Sequence, residues 1–108
     1  MTVYCLTVVY EGDGSVQFEW DPAKNDSNLA KHGISFVAAS QVFEDPGHVV
    51  LDSTKPGNGE RRYKAIGIID DKLFTVIFTE RSANRRIISA RRSRPDERRE
   101  YGQGPKRT

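Results

Sequence analysis

The back half of the chain sets single glutamates among paired arginines: Glu60-Arg61-Arg62-Tyr63, Glu80-Arg81, Arg85-Arg86 and Arg91-Arg92. Those residue types are sufficient to cleave RNA without a metal. The 2′-hydroxyl needs a base, the phosphate and its developing charge need cations, and the departing 5′-oxygen needs an acid. Glu60 is the candidate base. Arg62, Arg81, Arg86 and Arg91 are the candidate clamp, because the planar guanidinium fork fits two phosphate oxygens. Taken singly, each arginine reads better as an exposed strand-end charge that guards against edge pairing; taken as a cluster they favour the phosphate reading. His32 has two readings, a proton donor with an ordinary pKa of about 6.5 or a helix-end cation beside Gly33. Tyr101 either packs the last helix on the sheet or stacks on a base.

Other chemistries lack their residues. Gly57-Asn58-Gly59 is not followed by the lysine and helix of a nucleotide-phosphate loop. His32 and His48, the only histidines, stand at no metal-ligand spacing to each other or to Cys5. The serines have no placed histidine for a hydrolase triad. Asp70-Asp71 reads as a hairpin turn rather than a magnesium site. No cofactor and no metal is therefore expected. A single cysteine excludes an internal disulfide and suits a reducing cytoplasm. No apolar run approaches the length of a membrane span, and residues 3–10 lack the flanks of a signal peptide.

The net charge of +2 conceals a segregation. Residues 1–53 hold two cations, Lys24 and Lys31, against eight carboxylates, a net of −6; residues 54–108 hold fifteen cations, eleven of them arginine, against seven carboxylates, a net of +8. Such a division points to a polyanion met by the back half, or else to a merely solvated face.

The elements that must position these residues follow from local pattern. Residues 1–10 and 16–20 are β-prone and separated by the turn Glu11-Gly12-Asp13-Gly14. Asp21-Pro22 starts a helix and Gly33 stops it. Ser35 caps a second helix, with Phe36, Ala39, Ser40 and Phe43 at i, i+3, i+4, i+7 and Pro46 as its end. Strands are expected at 48–52, 61–69, 72–81 and 85–92, turning at Asp70-Asp71 and Ser82-Ala83-Asn84, with a flexible loop at 53–60. The last three strands form an antiparallel meander, which gathers Arg81 with Arg85-Arg86 and draws Arg91-Arg92 and Arg61-Arg62 toward a common end. Pro95 opens a charged helix to residue 103, and 104–108 is a tail. The whole is an α+β domain with its helices on one face of an antiparallel sheet, two helices N-terminal and one C-terminal.

Three groups of residues carry a family resemblance. They are Phe18-Glu19-Trp20-Asp21-Pro22-Ala23-Lys24, then Asn28-Leu29-Ala30-Lys31-His32-Gly33-Ile34-Ser35-Phe36, and finally Phe78-Thr79-Glu80-Arg81, Arg86-Ile87-Ile88-Ser89-Ala90-Arg91 and Glu97-Arg98-Arg99-Glu100-Tyr101. Together they resemble the BrnT toxins of type II toxin–antitoxin systems over about residues 16–101. The resemblance implies a RelE-like fold, RNA cleavage without a cofactor, inhibition of translation, and neutralisation by BrnA, an antitoxin with a ribbon-helix-helix DNA-binding part. Operator DNA is then met only through the antitoxin. The chain departs from the pattern at Val37 and Ala38, where acidic residues are usual, and in residues 1–15, which precede the usual start; Val16 is an alternative start.

The expectation is thus an endoribonuclease toxin comprising an extension (1–15), a BrnT-like domain (16–103) and a tail (104–108). The rivals are a non-catalytic nucleic-acid-binding module and an inactive co-repressor.

Overall fold

The computed structural model describes residues 4–10, 14–55, 57, 59–81 and 84–102, with 4–10, 14–17 and 81 described in backbone only. The turns expected at 11–14 and 82–84 lie partly outside the described residues, and the tail 104–108 lies wholly outside them.

Local chemistry sets the helices. Helix α1 (Pro22–His32) begins where Asp21 accepts the Ala23 N–H at 2.9 Å, with proline in the first turn. It ends at Gly33, whose φ of 74° is left-handed and whose N–H reaches the Leu29 carbonyl. Ser35 caps α2 (Phe36–Ala39) through the Ala38 N–H at 3.1 Å. The expected second helix stays α-helical for one turn only and then tightens into a 3-10 segment, Ser40–Glu44. At three residues per turn, Phe36, Ala39 and Val42 come into line, and all three are fully buried.

Six strands form one sheet: β1 (Tyr4–Tyr10), β2 (Gly14–Trp20), β3 (Val49–Asp52), β4 (Tyr63–Ile69), β5 (Lys72–Arg81) and β6 (Asn84–Arg92), in the order β1-β2-β6-β5-β4-β3. The β4–β5 hairpin turns on Asp70 and Asp71, both at positive φ, which aspartate tolerates better than most residues. The meander β4-β5-β6 is antiparallel as expected. The sheet as a whole is mixed, however, because β2 runs parallel to β6 over Gln17↔Asn84, Phe18↔Arg85 and Glu19↔Arg86. The chain leaves β2 through α1 and α2 and returns only after three further strands, so β6 arrives beside β2 in the same direction. That crossover could not be read from local pattern.

The core lies between one face of the sheet and the stretch made of Ile34, α2 and the 3-10 segment; α1 adds no apolar side chain to it and buries only Asn28. Phe18, Trp20, Phe36, Phe43, Val76, Phe78 and Ile87 are its main members, and each large side chain so buried contributes roughly 1.5–3 kcal/mol. The 3-10 segment presses close on β4: a Cβ on Gly67 would stand 2.8 Å from the Val42 carbonyl oxygen. Only glycine permits that approach.

Helix α3 (Pro95–Gly102) does not join this layer. On β5, Val76 and Phe78 face the core, so Thr75 between its core-facing neighbours faces away. Thr75 donates to the Glu97 carboxylate at 3.0 Å, and Lys64 of β4 reaches the same carboxylate at 3.3 Å. The third helix therefore crosses the opposite face, which corrects the expectation of helices on a single face. Tyr101 then anchors the helix at the rim, donating to Asp45 at 2.8 Å. Among the described residues no helix is long and apolar enough to cross a membrane.

Candidate nucleic-acid interface

Strand register decides which arginines meet. Tyr63 pairs with Phe78, Thr79 with Arg86, and Glu80 with Arg85. The start of β4, the end of β5 and the start of β6 thus share one end of the sheet, which brings residues 60–62 to the level of 79–81 and 84–86. Arg91 pairs with Thr75 and Arg92 with Phe74, four rungs higher. The expected meeting of Arg91-Arg92 with Arg61-Arg62 does not occur, because antiparallel β4 begins where β5 ends.

Face then separates neighbours. Arg85 lies on the core side, with its guanidinium 4.8 Å from the Phe43 ring centroid and 5.6 Å from that of Phe78. Arg86 lies on the α3 side, where its Nε donates to Glu19 at 2.9 Å. Asn84 donates to the other oxygen of the same carboxylate at 3.0 Å. Glu19 thus holds Arg86 by its inner nitrogen, and no hydrogen bond among the described residues takes its two terminal nitrogens. Arg62 is fixed through its backbone: its N–H donates to the Thr54 hydroxyl at 2.8 Å, and its carbonyl accepts the Ser53 N–H at 2.8 Å. The Arg62 Nε and the Thr79 Oγ1 are both buried without a hydrogen-bond partner among the described residues. Arg61 turns outward to Asp52 at 3.4 Å. Hydrogen bonds from Thr54, backbone and side chain, hold the Asp52 carboxyl below its ordinary range, with Arg61 adding to the effect. Glu60, half-buried, precedes these residues in the loop and is not free of partners. Arg81 shares this end of the sheet in backbone; its side chain lies outside the described residues.

Arg91 is differently employed. Its two terminal nitrogens donate to the two oxygens of Glu97 at 2.7 and 2.8 Å, and its side chain is 16% exposed. Burial alone would push the Glu97 carboxyl up. Hydrogen bonds from Arg91, the Arg94 N–H and Thr75, with the Arg91 charge, outweigh burial and pull it down to about 2. The same hydrogen bond to Glu97 raises Arg91 above its ordinary value.

Spacing did not reveal Glu97, which reads as one more charge on a polar helix. Its one local signal is its place three residues after Arg94, where its carboxylate accepts the Arg94 N–H at 2.8 Å as the glutamate of a capping box does. Asn28 was also missed. Buried at the rim, it donates to the Ala90 carbonyl at 2.8 Å and accepts the Ala90 N–H at 3.1 Å, standing in for a strand where β2 no longer covers β6. His32 ends α1 on an exposed surface and lines a cavity between α1 and β6 with Lys24, Ser27, Lys31 and Ser89.

The family model of the BrnT ribonuclease toxins of type II toxin–antitoxin systems matches residues 20–97. The chain belongs to the BrnT family. The matched span runs from the end of β2 to the first turn of α3 and contains His32, Glu60, Arg62, Arg81, Arg86 and Arg91. The BrnT description gives the chain an RNA target and an antitoxin partner. No curated protein sequence matches the chain.

Proposed function

We propose that this BrnT-family chain is an endoribonuclease that cuts RNA on the α3 side of its sheet, at the end where β4 begins and β5 ends. The observation that carries the reading is Arg86, gripped by Glu19 through Nε alone at 2.9 Å. A guanidinium fixed in this way keeps its planar fork for a phosphate and spends little further entropy on binding it.

In the proposed reaction Glu60 takes the proton of the 2′-hydroxyl. The freed oxygen attacks the adjacent phosphorus and the bond to the 5′-oxygen breaks. That oxygen takes a proton from solvent water, leaving a 2′,3′-cyclic phosphate and a 5′-hydroxyl, and the resulting hydroxide is neutralised by the proton held on Glu60. Arg62, Arg81 and Arg86 hold the non-bridging oxygens and offset the charge that builds on them. Arg91 is assigned to support, since its fork is already filled by Glu97. His32 is assigned to substrate binding. The chemistry needs no metal. The antitoxin is proposed to be a BrnA-like ribbon-helix-helix protein that carries the pair to operator DNA, and the cellular effect of the free toxin is inhibition of translation.

The test is cleavage of single-stranded RNA by the purified chain in excess EDTA. Cleavage that persists, with 2′,3′-cyclic phosphate ends, supports the reading. Binding without cleavage, or cleavage that returns only with magnesium, overturns it.

A further inference from the structure

Lys24 and Lys31 are the only cations in the first 53 residues. Both line the same cavity, of about 200 Å³, against Ser89 of β6. They stand seven residues apart on α1, two helical turns, and therefore on one side of the helix. Ser27 lies between them on that side, and His32 closes the row.

The helix's own electrostatics do not account for this arrangement. Lys31 and His32, in the last turn, complement the negative end of the helix dipole. Lys24, in the first turn, opposes the positive end, where the one carboxylate is the Asp21 cap, already engaged by the Ala23 N–H. No salt bridge among the described residues neutralises Lys24 or Lys31. A cation in the less favourable place, aimed into the same recess as a second cation two turns away, serves something outside the helix.

Ser89, which lines the recess, faces away from the core. Ser89 pairs with Ile77, which lies between core-facing Val76 and Phe78 and so points away from the core. Ser89 thus shares a face with Arg86, three residues earlier on β6. Asn28 closes the floor, its carboxamide committed to Ala90 and the Ile34 carbonyl. An RNA strand crossing Arg86 along β6 would next meet the two lysines.

We propose that the cavity between α1 and β6 is a phosphate subsite for single-stranded RNA, in which Lys24, Lys31 and His32 hold a backbone phosphate flanking the one cleaved at Arg86. This rests on the endoribonuclease reading. The subsite supplies affinity and register along the strand, not chemistry.

The test uses the full chain and a 2′-O-methyl RNA that it binds but does not cut, alongside cleavable RNA of the same sequence. Each lost phosphate contact should lower the slope of log affinity against log salt by about 0.7. The double variant Lys24→Ala/Lys31→Ala should therefore show a shallower slope by about 0.7, with KM raised more than kcat is lowered. A charge-matched control, Lys72→Ala/Arg99→Ala, removes two exposed cations on β5 and α3 and should keep the wild-type slope. If the two double variants lower the slope equally, or neither does, the subsite is overturned. Wild-type chain that fails to cut the cleavable RNA overturns the endoribonuclease reading instead, so the two failures are told apart.

Discussion

Arg91 and Glu97 form a closed fork: two parallel hydrogen bonds of 2.7 and 2.8 Å between a guanidinium on β6 and a carboxylate on α3 that is only 1% exposed. Thr75, Lys64 and the Arg94 N–H fill the remaining acceptor positions. The group is the joint by which the third helix is fastened to the face that carries the proposed site.

Breaking one side of this joint should cost far more than an ordinary surface pair. Arg91→Ala leaves the Glu97 carboxylate buried without its counter-charge, and Glu97→Ala leaves a half-buried guanidinium without one. Losses of up to about 3–5 kcal/mol accompany such situations. Urea denaturation of Glu97→Ala and Arg91→Ala should each register a loss of that order, whereas Arg61→Ala, which removes an exposed pair, should change stability by less than about 1 kcal/mol. Losses below 1 kcal/mol in all three would show that α3 is held by other contacts.

The same carboxylate gives stability a defined acid limb. Glu97 titrates at about 2 in the folded chain, below its ordinary 4.5, so the unfolded chain binds its proton first as pH falls. The stabilisation is complete above about pH 5 and is lost progressively between there and pH 2. Urea midpoints measured from pH 6 to pH 3 should fall for the wild type and fall less for Glu97→Gln. Parallel curves would assign the acid sensitivity to other carboxylates.

Catalysis should divide along strand register. Arg86→Ala should lower kcat by on the order of a hundredfold, the scale for removing one charge-stabilising donor. RNA affinity should fall much less, since each arginine is one of several phosphate contacts. Glu19→Gln, which keeps the shape but weakens the grip on Arg86 Nε, should lower kcat by a smaller factor, and Arg86→Lys should recover affinity better than rate. Equal losses of binding and rate in every variant would describe a basic binding surface rather than an active site.

Removal of residues 1–13 bears on where the domain begins. The family match starts at Trp20, and the core takes its first side chains from Phe18 and Trp20, while β1 touches the sheet only as an edge strand on β2. The shortened chain should unfold cooperatively and retain RNA cleavage. Loss of a cooperative melt would make β1 integral to the fold.

What the sequence determined by itself is what a few adjacent residues can settle. Asp21-Pro22 and Gly33 bound α1 because capping engages groups within one turn. Asp70-Asp71 turn the hairpin because two residues suffice to adopt the conformation. The charge division and the family motifs were equally open to reading, since neither depends on which strands pair. Tertiary structure decided the rest. The face each arginine takes is set by one irregularity: Ile77 pairs with Ser89 and Phe78 with Ile87, leaving Ile88 as an extra residue. Odd-numbered Arg85 and Ile87 therefore face the core, while odd-numbered Ser89 and Arg91 face α3. Alternation counted along the sequence assigns all four to one side. The parallel seam between β2 and β6 and the pairing of Arg91 with Glu97 escaped for the same reason: each is a contact between distant segments, fixed by burial and register across strands rather than by local propensity.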